Sequence, residues 1–142
     1  MQIFIINDPV ITAQLLDRRR FNSQIREAKI VLKWCTLVKN AEGSRWINQP
    51  LVQMYINNIE WLQSYIRVFE AIKENDMHAA RMWNLYANDF KPSFHTEDYF
   101  EQMKRRLYTK DPVFYANWEY LGKSHNNWYY VDGQWKFYKQ NE

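Results

Sequence analysis

The chain has 142 residues and a formal net charge of +3, which makes it one ordinary domain over 1–142, large enough to bury a core without disulfides or a structural metal. Its lone cysteine, Cys35, excludes an internal disulfide and fits a reducing cytoplasm. The opening MQIFIIN has no cationic leader and too few apolar residues for a signal peptide or membrane span, so a soluble, cytoplasmic monomer with no membrane partner is expected.

Met1 to Asn7 reads as an extended arm. Asp8 as N-cap, with Pro9 at the first helical position, opens a helix that runs to about Arg19, and a break follows near Phe21 and Asn22. The second helix places Ile25, Ala28, Leu32 and Cys35 at three- and four-residue spacings, a core stripe that leaves Glu27 on a flank near the N-terminal end. Ala41 to Asn48, with Gly43, is a loop. Pro50 leads into the longest periodic segment, where Leu51, Tyr55, Ile59, Leu62, Ile66 and Phe69 repeat at intervals of four, four, three, four and three. That pattern predicts one buried helix ending near Asn75. A shorter helix over Met77 to Asn88 precedes a turn from Lys91 to His95, and Thr96 caps another from Glu97 to about Lys110. Asp111 and Pro112 introduce a last helical turn from Val113 to Tyr120. After Gly122, WYYVDGQWKFY sets Asp132-Gly133 between two strand-like runs, which predicts a type I′ hairpin over about 127–138. The expected fold is mainly α: a compact single-domain helical bundle with an extended N-terminal arm and a small C-terminal β-hairpin.

Charge is unevenly placed along this pattern. Residues 1 to 40 hold seven Lys or Arg against Asp8, Asp17 and Glu27, a local net of +4, and Arg18, Arg19, Arg20 and Arg26 crowd around Glu27. A second cationic cluster is Lys104, Arg105, Arg106 and Lys110. Guanidinium groups match phosphate oxygens with a planar donor fork, and binding them releases counterions, so a polyanion suits this surface. The plainer alternative places Arg18 to Arg20 at a solvated C-terminal helix end, where cations favour the dipole. Aromatic residues make up 18% of the chain, more than volume filling needs, and rings among cations suit unpaired or flipped bases. Packing in the core is the competing use of those rings.

Other chemistries lack their residues. No phosphate-binding glycine loop, zinc spacing or nucleophile elbow is present, and the chain has only three glycines. His78, His95 and His125 are far apart with no ligand-like spacing, so neither metal nor cofactor is expected.

LDRRRFNSQIREAKIVL, residues 16–32, resembles the LDRxRL…QR.EA segment of the pyrimidine-dimer DNA glycosylase family, the endonuclease V-like repair enzymes of phage and bacteria. Arg26-Glu27 matches an Arg-Glu pair of the phage type. WINQPLVQMY resembles the family's W-x-N-H-P-x-V-x-M-W block at Trp46, Asn48, Pro50, Val52 and Met54, with Gln49 in place of the bacterial histidine. KDPVFYANWEYLGK is similar both to a bacterial K-D-P-x-x-Y segment and to a phage aromatic run ending in Gly-Lys, here Gly122-Lys123. The resemblance spans roughly residues 1 to 123.

It implies a repair glycosylase with abasic-site lyase activity on damaged double-stranded DNA. The family's nucleophile is the N-terminal α-amine, which forms an imine with deoxyribose C1′; an α-amine titrates near about 7.7–8.0 and a lysine near about 10.4, so more of it is free base at neutral pH. Met1 would supply that amine, or Gln2 if Met1 is removed, and Glu27 the catalytic carboxylate. Arg26 would correspond to the adjacent phosphate-binding arginine. Arg18, Arg20, Lys104, Arg105 and Lys123 are candidates for further backbone contacts, and Tyr115 and Trp118 for an aromatic contact surface. Gln2 departs from the small residue exposed in phage-type enzymes, and its bulk disfavours removal of Met1. Two alternatives remain beside the enzyme: a non-catalytic nucleic-acid-binding helical protein of the same fold, and an interaction protein that uses its hairpin.

Overall fold

A computed structural model describes residues 1–124 and, by backbone pairing alone, 126–131 and 134–139. Ile3, Phe4, Ile5 and Ile6 are all buried, so the extended segment is core. It has no β partner among the described residues, and side chains satisfy its polar groups instead. The Phe4 N–H donates to Gln24 Oε1 (2.8 Å), the Tyr65 hydroxyl donates to the Phe4 carbonyl (2.7 Å), and the Ile6 N–H donates to Thr12 Oγ1 (3.1 Å). A buried backbone demands such partners.

Asp8 caps the first helix, α1 (Pro9–Leu15), by accepting from the Ile11 N–H at 2.8 Å. The helix stops a turn earlier than the sequence suggested. Leu16 is extended, and Asp17 caps a new helix, α2 (Arg18–Lys39), by accepting from the Arg20 N–H. Residues 21 and 22 lie inside α2, so Arg18 to Arg20 form the first turn of the second helix and not the end of the first. An aspartate that can cap locally competes with continuation of the preceding helix. The buried stripe of α2 is Gln24, Ala28, Val31 and Cys35, with Ile25 and Leu32 only partly buried at its edge.

A 3-10 turn at Ser44–Trp46 precedes α3 (Pro50–Tyr55), and α4 spans Ile59–Lys73. The single long helix expected from Leu51 to Asn75 is therefore two. The chain turns at Ile56 to Asn58, where the Asn58 side chain donates back to the Met54 carbonyl at 3.2 Å. Asparagine offers the backbone a local alternative to the helix, and the periodicity survives because both pieces bury one face. Asn75, at φ 59°, ends the following turn, and Asp76 caps α5 (Met77–Asp89). Thr96 caps α6 (Glu97–Lys110), with Glu97 and Asp98 favourably placed against the N-terminal dipole. A 3-10 turn at Ala116–Leu121 takes the place of the last helical turn.

α4 forms the centre, packed against α1, α2 and α5. Its own Trp61, Tyr65 and Phe69, with Tyr55 of α3, are the largest fully buried side chains among the described residues. Gly43 lets the loop after α2 close, since a Cβ there would stand 2.8 Å from Leu37 Cβ. The described residues are mainly helical, and none of their helices is long and apolar enough to cross a membrane. Asn126–Val131 pairs antiparallel with Gln134–Lys139; the turn expected at Asp132-Gly133 and the side chains of the appendage lie outside the described residues.

Candidate active site

Asp17, Arg20, Gln24 and Glu27 recur at three, four and three residues along α2, so they line one flank of the helix. Gln24 is fully buried there, and its amide is used at both ends. Oε1 accepts from the Phe4 N–H (2.8 Å) and the Tyr65 hydroxyl (2.9 Å). Nε2 donates to the Gln2 carbonyl and to Glu27 Oε2, each at 2.9 Å. This pattern fixes the amide's orientation, because the Phe4 N–H needs an acceptor while the carbonyl and carboxylate need donors.

One nitrogen thereby holds the backbone of residue 2 and the Glu27 carboxylate together. Met1, with 56% of its surface exposed, is the next residue outward, and Glu27 is itself only partly buried. Both are open to a ligand. The Tyr65 hydroxyl is pushed well above its ordinary pKa by burial first, and by Tyr99 and the Glu27 carboxylate as lesser causes. It therefore stays protonated, with its one proton shared between the Phe4 carbonyl and Gln24 Oε1.

At the start of α2 the same flank carries a second cluster. The Asp17 N–H donates to the Tyr115 hydroxyl at 2.9 Å, and that hydroxyl donates back to Asp17 Oδ1. Arg20 Nη1 lies 3.1 Å from Asp17 Oδ1 and 4.0 Å from Asp111 Oδ2. Burial alone would raise the Asp17 carboxyl, but the hydrogen bonds from Tyr115 and Arg20 outweigh it and hold it below the ordinary range. Tyr115 stacks on Trp118 at 5.2 Å and 6°, and Lys104 Nζ sits 5.9 Å from the Trp118 ring. The residues after α6 are thus pinned to the beginning of α2.

Arg18 to Arg20 stand at the positive end of a 22-residue helix with no acid in its first turn. Cations there oppose the macrodipole, at a cost of about 0.3–1 kcal/mol each. The arrangement concentrates positive potential, and an anion would relieve it.

The sequence-based candidates divide accordingly. The Gln2 carbonyl and the Glu27 carboxylate meet at the Gln24 amide, with Met1 the next residue in the chain, and Arg20, Lys104 and Trp118 share the neighbouring cluster. Tyr115 is a correction: at 3% exposure it is a buried strut that presents no ring to a ligand. Arg105 is paired with Glu101 at 2.7 Å. Arg18 and Arg26 are exposed on other faces of α2, since successive helical residues point about 100° apart. Lys123 is exposed beyond the 3-10 turn. In the WINQP block, Trp46 stacks on Trp34 at 4.4 Å, Val52 and Met54 are buried, and Gln49 is exposed. Trp34 stands seven residues after Glu27, on the same flank.

Sequence reasoning missed Gln24. Its sequence signals are its place on the glutamine of the QR.EA segment, three residues before the carboxylate, and its line with Ala28, Val31 and Cys35. Among the described residues no three His, Cys, Asp or Glu side chains come close enough to hold a metal ion.

No curated protein and no solved structure matches the chain. A family model described as pyrimidine dimer DNA glycosylase matches residues 1–75, which include the arm, Gln24, Glu27 and the whole of α2 and α4. With more than half of its length matched, the chain belongs to the pyrimidine dimer DNA glycosylase family.

Proposed function

We propose that the protein releases a damaged pyrimidine from DNA and then nicks the abasic strand, with the N-terminal amine as nucleophile and Glu27 as the catalytic carboxylate. The observation that supports this most is the Gln24 amide, which joins the backbone one residue from that amine to the carboxylate. The amine attacks C1′ as the bond to the base breaks, and the base leaves with the bonding pair and takes a proton. Ring opening then moves the C1′–O4′ pair and a proton to O4′, leaving an imine at C1′. Imine formation acidifies C2′, and loss of that proton to a base expels the 3′ phosphate. Glu27 stabilises positive charge at C1′ and accepts the C2′ proton.

Binding is assigned to the N-terminal turn of α2 and the residues pinned against it. Arg18, Arg20 and Lys104 contact phosphates, and Trp118 offers an aromatic surface. The domain acts on duplex DNA as a single unit spanning 1–142.

The test is borohydride trapping on duplexes that carry one cyclobutane dimer or one abasic site, using protein whose mature N-terminus is known by intact mass. A covalent adduct mapping to the N-terminal residue is expected. Glu27→Gln should lower incision by at least about a hundredfold while sparing DNA affinity. Unchanged incision removes Glu27 from the mechanism, and binding without adduct or base release favours the non-catalytic alternative.

A further inference from the structure

α5 is inverted relative to an ordinary surface helix. Its buried residues are Ala80 and Ala87, whereas Met82, Trp83, Leu85 and Tyr86 are exposed, as is Phe90 just beyond its end. Trp83, Tyr86 and Phe90 form a ring ladder, with centroids 5.9 Å and 4.9 Å apart. Large rings left in water on one face need an occupant.

Beside this ladder, a groove of about 520 Å³ runs between α2, α4 and α5, lined by Lys29, Arg67, Glu70, Trp83 and Tyr86 among others. Through Lys29 it meets a trough of about 460 Å³ on the outward face of α2, where Arg26, Lys33 and Lys73 stand over Ile25 and Ile30. No carboxylate is among the described residues that line the trough. The groove's Glu70 is engaged by Lys29 at 3.1 Å. Arg26, Lys33, Arg67 and Lys73 have no carboxylate within 4.0 Å among the described residues. Arg67 also lies 5.9 Å over the Trp83 ring.

The geometry points to a second nucleic-acid site, for single-stranded DNA, on the side of α2 away from Glu27. Phosphates lie along Arg26, Lys33 and Lys73, and unpaired bases stack on Trp83 and Tyr86. A continuous cationic trough beside exposed rings is what a strand with free bases requires, because backbone charge and base faces are met separately. A paired duplex keeps its bases away from such rings. A purely apolar partner would leave the trough's cations desolvated and unpaired. This site stands independently of the reading of Glu27.

Anisotropy of a fluorescein-labelled oligothymidylate tests it, with the full chain and two variants. Lys33→Glu with Lys73→Glu should weaken binding by more than tenfold and lower the salt slope by about 1.4, two contacts at about 0.7 each. Trp83→Ala should weaken binding about tenfold with little change in that slope. Lys33 and Lys73 are exposed and Trp83 is 38% exposed, so circular dichroism should match the parent in both variants, with a fall in melting temperature confined to Trp83→Ala. Binding equal to the parent in both variants overturns the site. Loss in the lysine variant alone overturns the assignment of unpaired bases to Trp83 and marks a duplex backbone surface instead.

Discussion

Gln24 carries more of this protein than its type suggests. Removing its amide by Gln24→Ala strands the Phe4 N–H and the Gln2 carbonyl at once, at about 1–3 kcal/mol for each buried group left unpaired, while the Tyr65 hydroxyl keeps the Phe4 carbonyl. A fall in the urea midpoint is therefore expected. Gln24→Glu is more specific. It retains an acceptor toward Phe4 but replaces the donor to Glu27 with a second carboxylate, and like charges disfavour ionisation. The acid limb of the incision pH profile should move to higher pH in that variant. A limb that does not move shows that Gln24 matters for folding alone. Glu27 was legible as a candidate through the resemblance around Arg26-Glu27. Gln24 falls on the glutamine of the same motif, but its bridging role was not legible, because nothing local to residue 24 says that an unpaired extended segment passes beside it.

At the scale of elements, the junction at Asp17 decides where the cations stand. Had α1 continued to Arg19, three arginines would sit at a negative helix end; capping by Asp17 puts them at a positive one. Asp17→Ala removes the cap, worth about 0.5–2 kcal/mol, and leaves the Tyr115 hydroxyl without its acceptor. It should lower the melting temperature and also weaken DNA affinity, because residues 115–118 keep only the backbone N–H of residue 17 as their hydrogen-bonded anchor to the start of α2. Tyr115→Phe should share the first effect more mildly. Unchanged affinity in both variants would separate the Trp118 region from DNA binding. The helical periodicity in this chain was readable, and Thr96 caps α6 where the sequence put it. Helix breaks were harder to place, at Leu16-Asp17 and again at residues 56–58, because an apolar rhythm continues through a kink whenever both pieces face one core.

The whole molecule buries titratable groups at its centre. His95, at 3% exposure, meets the Tyr55 hydroxyl at 3.1 Å and stacks with Tyr99. Burial, with Lys91 as a smaller cause, drives it down to about 3, while burial pushes Tyr99 up to about 12 and Cys35 to about 11. His95 therefore stays neutral in the fold, and the unfolded chain takes up a proton near pH 6.5 that the folded chain refuses. Its contribution is intact above 6.5 and is lost as pH falls toward about 3, at about 1.4 kcal/mol per unit once the unfolded histidine is charged. Between about pH 7 and about pH 5 the parent should lose about 2 kcal/mol that His95→Gln does not. This window lies above the range where Asp17, whose lowered pKa acts only in stronger acid, contributes. Equal pH slopes in urea titrations of the two proteins would refute this account.

By itself the sequence determined the mainly helical class, the caps at Asp8 and Thr96, the cationic bias of the first forty residues and the likeness around Glu27. These depend on neighbours a few residues apart, where period, propensity and capping act. The tertiary structure decided that the arm is core, that Gln24 bridges it to Glu27, and that Tyr115 is buried while Trp83 and Tyr86 are exposed. Those outcomes depend on partners 20 to 98 residues distant, as Gln24 is from Phe4 and Tyr115 from Asp17. Burial and hydrogen-bond choice follow from which surfaces meet after folding, and no local pattern carries that information.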